Sequence, residues 1–196
     1  MGKTIGREVL FLHTTKAIPR NGEGTFLRLK NGAILFAYTK FSGNEWHDDA
    51  SADIASLISF DEGESWEEPR ILISHDITSR NLMCPSLIRM NNGDIGLIFL
   101  KKMKDGINAV PWFARSSDEG KTFSEPFRCI ADFNNYYVIE NDHAIILKNG
   151  RILVPANYHT LEKYKFTVLK FHWSECDIPW AMNMKVLRGC VSFSRL

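Results

Sequence analysis

An octapeptide occurs twice in this chain, and it restricts the fold more than any other feature. Ser59-Phe60-Asp61-Glu62-Gly63-Glu64-Ser65-Trp66 returns 57 residues later as Ser116-Ser117-Asp118-Glu119-Gly120-Lys121-Thr122-Phe123. Both copies fit Ser-x-Asp-x-Gly-x-(Ser/Thr)-aromatic, and each is followed by Glu-Pro, at Glu68-Pro69 and Glu125-Pro126. An aspartate side chain accepts hydrogen bonds from backbone N–H groups just ahead of it, and glycine takes backbone angles that other residues resist. The Ser or Thr hydroxyl closes the turn, and the aromatic plugs it into a core. One such stretch is an ordinary turn. Two in register describe a repeated, rigid corner between strands.

A second pattern keeps the same period. Thr25–Tyr38, Pro85–Phe99 and His143–Val154 each read as strand, Asn-Gly turn, strand. Asn-Gly between apolar runs is a strong hairpin signal. The turn glycines Gly32, Gly93 and Gly150 stand 61 and 57 residues apart. A period near 60 with four short strands per unit is the sequence form of a β-propeller blade. The expectation is an all-β chain with blade one over about 22–75, blade two over about 82–131 and a partial blade three over about 141–180. Ahead of the blades, Glu8–His13 alternates like a strand, and Ile18–Gly24 reads as a glycine-rich turn.

A third octapeptide is due near residue 173. Ser174 and Trp180 are there, but the Asp and Gly positions between them are lost, and the periodicity lapses from Cys176 to Leu196. Two readings stand: a divergent blade edge, or an aberrant tail over 176–196 from a frameshift or truncation in the gene. Part of a propeller exposes strand edges and an inter-blade face, so self-association through those edges is expected.

Bulk properties exclude several partners. A net charge of +1 gives no field for nucleic acid or an anionic membrane. The opening residues lack a charged segment followed by a long apolar run, and no stretch of 18 apolar residues occurs, so a cytoplasmic location is expected. Cys84, Cys129, Cys176 and Cys190 have no close pairing and read as buried thiols. The six histidines show no ligand spacing, so neither a metal nor another cofactor is expected.

In a propeller the first strand of each blade lines a central channel, and the loops entering those strands share one mouth. That rule selects Arg20, Asn21 and Glu23, then Arg80, Asn81 and Met83, then Glu140, Asn141, Asp142 and His143. The connection Lys40–Asp53 is long for a hairpin and gathers Trp46, His47, Asp48 and Asp49. Long ordered loops tend to be functional.

The octapeptides resemble the Asp box, or neuraminidase repeat, of the sialidase superfamily. The resemblance implies a six-bladed β-propeller, of which this chain holds about two and a half to three blades. It implies a structural role for Ser59, Asp61, Gly63, Trp66, Ser116, Asp118, Gly120 and Phe123. It further implies a retaining exo-glycosidase acting on terminal sialic acid or a related sugar, so a carbohydrate partner. In that family three arginines clamp the substrate carboxylate, an Asp after the second strand of blade one is the acid/base, and a Tyr paired with a Glu is the nucleophile. By resemblance Arg20 stands for the first clamp arginine, and Asp49 for the acid/base, with Asp48 as its near alternative. Glu23, Asn81, Asn141, Asp142 and His143 fall to substrate binding. Arg20-Asn21-Gly22-Glu23-Gly24 also resembles a branch of the superfamily that carries Asn-Asp-Arg at blade three. Here Asn141-Asp142-His143 replaces that arginine by histidine, which leaves sugars other than sialic acid open. No residue here corresponds to the other arginines or to the Tyr–Glu pair. The alternative is a non-catalytic carbohydrate-binding or interaction propeller; a third reading is a gene fragment, inactive alone.

Overall fold

The structure, a computed structural model, describes residues 6–130, 136–159 and 164–172. The stretch holding Ser174, Trp180 and the lapse in periodicity lies outside them. Among the described residues every regular element is a strand, and no helix is long and apolar enough to cross a membrane.

Strands β1 (Asn21–Arg28), β2 (Ile34–Phe41), β3 (Ala52–Ser59) and β4 (Arg70–Ile73) form an antiparallel first blade. Strands β5 (Ser79–Arg89), β6 (Ile95–Met103), β7 (Ala109–Ser116) and β8 (Phe127–Arg128) repeat it. In the third blade the innermost strand is split into β9 (Tyr136–Ile139) and β10 (Ile145–Ile146), both pairing with β11 (Arg151–His159), which pairs with β12 (Tyr164–His172). Single parallel pairings, Ala52 with Asn81 and Ala109 with Tyr136, join one blade to the next.

Burial follows the layering. Strand β6 is buried on both faces, because blade two is sandwiched between blades one and three. Its sequence, Ile95-Gly96-Leu97-Ile98-Phe99-Leu100, is accordingly a continuous apolar run. One core, with Leu35, Ile54, Leu97 and Phe99, fills the space between blades one and two. Another, with Ile98, Phe113, Ile139, Val154 and Phe171, fills the space between blades two and three.

All three hairpins are built alike. Leu29 N donates to Ala33 O and Gly32 N to Leu29 O; Met90 with Asp94 and Gly93, and Leu147 with Arg151 and Gly150, repeat both bonds. The glycines sit at φ of 89°, 90° and 79°, so each hairpin is a type I turn closed by one left-handed residue. Asn31, Asn92 and Asn149 each accept a bond from the N–H two residues on.

The two Asp boxes also match bond for bond. Ser59 Oγ accepts from Gly63 N at 2.8 Å, and Asp61 accepts from Ser65 N at 2.8 Å and Ser65 Oγ at 2.5 Å. Ser116 accepts from Gly120 N at 2.8 Å, and Asp118 from Thr122 N at 2.9 Å and Thr122 Oγ1 at 2.6 Å. The bond from the Ser65 hydroxyl leads the set that pulls the Asp61 carboxyl down to about 2. For Asp118 partial burial pushes the other way, but the Thr122 bonds outweigh it and the group also falls to about 2.

Two expectations change. Residues 8–13 form no strand; Leu10 and Leu12 instead pack on Tyr38, Ala55 and Leu57 of blade one, using side-chain burial in place of a ladder. The expected turn at Ile18–Gly24 overlaps β1, because a bulge between Gly22 and Thr25 keeps the chain in register while it bends.

Candidate functional site

The residues entering each innermost strand are not simple loops. Glu23 has φ 58°, Cys84 φ 55° and Asp142 φ 58°, left-handed values that non-glycine residues rarely take. The first two lie within register shifts of the β1–β2 and β5–β6 ladders, and the third lies in the gap that splits β9 from β10. Each blade therefore kinks its innermost strand part-way along its length. Such kinks re-aim side chains and cluster near functional sites.

The kinks tie the blades to one another. Glu23 Oε2 accepts from Thr39 Oγ1 at 2.8 Å and from Cys84 N at 3.1 Å. Thr25 Oγ1 donates to Asp142 Oδ1 at 2.6 Å, and Asn141 Nδ2 donates to Gly24 O at 2.6 Å. His143 places its backbone N 3.2 Å from Ser86 Oγ, while its side chain is exposed. Burial, followed by the Glu23 charge, pushes the Cys84 thiol far above its ordinary range.

Arg20 closes the mouth from blade one. Its guanidinium lies 4.5 Å over the Phe41 ring and donates to Asp48 Oδ1 at 2.6 Å, to Trp46 O at 3.3 Å and to Glu23 Oε1 at 3.2 Å. Asp48 and Asp49, adjacent in sequence, have different surroundings. Lys102, almost wholly buried at the end of β6, donates to Asp49 Oδ1 at 2.9 Å and to Asp48 O at 3.0 Å. The Lys102 bond, helped by Arg80 at 3.9 Å, holds the Asp49 carboxyl below the usual carboxylate range. Burial by itself would drive Lys102 toward neutrality, but Asp49 and the Tyr136 hydroxyl hold its proton on. Among the described residues Asp48 has no lysine partner, and its side chain is 69% exposed.

Asn81 is fully buried. Its amide donates to Asp48 O at 2.9 Å and Ala50 O at 2.8 Å, so it pins the 42–51 loop from below. The expected residues Arg20, Glu23, Asp48, Asp49, Asn81, Asn141, Asp142 and His143 thus gather at one mouth, with Asn81 beneath it. Sequence reasoning passed over Lys102, Thr25, Thr39 and Ser86. The dipeptide Lys101-Lys102 interrupting an otherwise apolar strand was a signal for the first. Among the described residues no group of three His, Cys, Asp or Glu side chains could hold a metal ion.

Comparisons bear on this geometry. The profile of the BNR repeat-like domain matches residues 32–189. No curated protein matches the chain. Among solved structures, a Hadza microbial sialidase superimposes with a TM-score of 0.65 at 16% identity, over 78% of this chain and 35% of that one. The NanB sialidase of Streptococcus pneumoniae gives 0.57 at 8% identity, over 83% of this chain and 46% of that one. The α-L-arabinofuranosidase of Fusarium graminearum, solved with arabinobiose, gives 0.52 at 15% identity, over 74% of this chain and 44% of that one. The chain spans less than half the length of each of these three structures.

Proposed function

The chain belongs to the BNR repeat-like domain family, and from that premise we propose that its mouth is the acid/base side of a retaining exo-glycosidase site for terminal sialic acid or a related sugar. The observation that carries the reading is the network centred on Arg20, which links the blade-one kink at Glu23 to the exposed carboxylate of Asp48. Asp48 is the better acid/base. Its side chain is 69% exposed at the mouth, where a substrate can reach it, whereas the bond from Lys102 engages Asp49 and holds its carboxyl below the usual carboxylate range. Asp49 then acts through charge, fixing Lys102 and the loop. Trp46, 70% exposed in the same loop, offers a flat apolar platform to a sugar face. Arg20 presents the planar fork that suits a carboxylate, and a bound carboxylate would exchange with Asp48 at Nη1.

The test is hydrolysis of 4-methylumbelliferyl glycosides of sialic acid and of α-L-arabinofuranose by the chain and its variants. Asp48→Asn is expected to lower kcat/KM by ~100-fold or more without moving the melting temperature. Asp49→Asn is expected to cost less activity and some stability, since it leaves Lys102 buried without its carboxylate. Equal loss in both variants would remove the distinction. The second reading, a carbohydrate-binding propeller, is favoured by the saturation of Arg20 by Asp48 and Glu23. It predicts sugar binding without turnover. A folded chain that neither binds nor cleaves contradicts both readings.

A further inference from the structure

We propose that Ser51, His75 and Asp53 form a second catalytic centre, a nucleophile, base and orienting carboxylate that cleave carboxylic esters. Ser51 Oγ lies 3.2 Å from His75 Nε2, and His75 Nδ1 lies 2.7 Å from Asp53 Oδ1. The backbone N of His75 donates to the same oxygen at 2.8 Å. An ionised carboxylate only accepts, so Asp53 places the ring proton on Nδ1. Nε2 is then left as an acceptor for the Ser51 hydroxyl. That is the tautomer a general base needs.

The backbone around the three residues is fixed. Ser42 N donates to Ser51 O at 2.8 Å, and Ala52, between Ser51 and Asp53, is fully buried in the core. Ser51 and Asp53, two residues apart at the start of β3, therefore share the opposite face. Lys40 pairs directly with Asp53 across the β2–β3 ladder, and cross-strand partners share a face. All three members retain access to solvent: Ser51 is half-buried, and the His75 and Asp53 side chains are 29% and 20% exposed. None of them bonds to Arg20, Glu23 or Asp48, so this centre is chemically separate from the sugar site while sharing its 42–51 loop.

The reaction balances with these groups and water. Ser51 Oγ attacks the ester carbonyl carbon as its proton passes to His75 Nε2. The bond from that carbon to the alcohol oxygen breaks, and His75 returns the proton to the departing alkoxide. Water then attacks the acyl-serine, giving its proton to His75. The Ser51 Oγ–carbon bond breaks, Ser51 recovers the proton, and a carboxylic acid leaves. Lys40, the cross-strand partner of Asp53, is the cation available to an oxyanion on this face. A single flexible cation is weaker support than paired backbone amides, so the centre suits esters, whose carbonyl is more reactive than that of an amide.

The test uses the whole chain, a fluorophosphonate probe with peptide mapping, and hydrolysis of p-nitrophenyl acetate. The expected result is labelling at Ser51 and saturable hydrolysis, both abolished in Ser51→Ala. His75→Gln should lower labelling and turnover by ~100-fold or more. Asp53→Asn should match it by reversing the tautomer. Should either variant lose its melting transition, the labelling rate of the wild-type chain against pH decides instead; it must rise as an imidazole loses its proton. A folded wild-type chain that takes no label at Ser51 overturns the proposal. So does equal labelling in a folded His75→Gln variant, or a labelling rate that ignores pH between 5 and 8, the range in which imidazole ordinarily titrates.

Discussion

The two ends of each blade treat repetition in opposite ways. At the Asp-box end, blades one and two use the same residue types and the same bonds, down to the hydroxyl of Ser65 or Thr122 on the aspartate. At the mouth, the blades share only the backbone kink. Its left-handed residue is Glu23 in one blade, Cys84 in the next and Asp142 in the third. A shared backbone with shared side chains holds blades together. A shared backbone with divergent side chains makes a site in which each position contributes something different.

The sharpest test of that contrast pairs Asp118→Ala with Asp142→Ala. The first removes the acceptor of two Thr122 bonds and one Ser116 bond and is expected to cost about 2–3 kcal/mol in urea unfolding, without altering a bound sugar's contacts. The second breaks one bond, from Thr25, at an exposed residue, and should shift sugar affinity more than stability. The reverse ranking would break the division of labour.

Gly120→Ala follows in size. The residue sits at φ 78°, and an added Cβ would lie 2.9 Å from Leu35 Cδ2 of the neighbouring blade, so a loss of about 1–3 kcal/mol is expected. Gly43→Ala, at φ 88° with open space around it, isolates the backbone strain and should lose less in the same urea experiment.

Within the Asp-box end the two copies also differ in reach. Arg89 donates to Glu119 at 2.6 and 2.9 Å, and Glu119 also takes Lys30 N of blade one at 2.8 Å. Arg28 and Glu62 make the matching pair at 2.8 and 2.9 Å, but on the surface. Arg89→Ala should therefore lower stability by about 1–2 kcal/mol, whereas Arg28→Ala should melt with the wild type.

The smallest effect is in pH. The Arg89 bond leads the contacts that bring Glu119 down to about 2 from an ordinary 4.5. A carboxylate with a lowered folded-state pKa contributes stability above its unfolded value and loses it as pH falls through the folded one. Stability should decline between about pH 5 and pH 2, and Glu119→Gln should flatten that slope. An unchanged slope would mean the Arg89–Glu119–Lys30 link carries nothing.

What the sequence revealed follows from distance along the chain. The Asp boxes and the Asn-Gly hairpins close within five residues or so, so their residue types report their geometry directly. The blade period came from counting between them. The kinks stayed hidden because Glu23 and Cys84 are residue types that rarely take positive φ, and an aspartate such as Asp142 does so in only a minority of cases. The links between blades also stayed hidden: Thr25 meets Asp142 across 117 positions and Lys30 meets Glu119 across 89. Asp48 and Asp49 were found together, yet only the position of Lys102 at the end of β6 tells them apart. Ser51 and Asp53 share one stretch, but His75 lies 22 residues on and only the blade's own pairing brings it into line with them.

Backbone amide shifts during titration with methyl α-sialoside, and separately with methyl α-L-arabinofuranoside, test the central contrast most directly. The account predicts that at least one sugar moves the amides of Arg20–Gly24, Asp48–Ser51, Met83–Ser86 and Asn141–Ala144, while Asp61–Ser65 and Asp118–Thr122 stay still. Shifts centred on the Asp boxes, with the mouth silent, would contradict it.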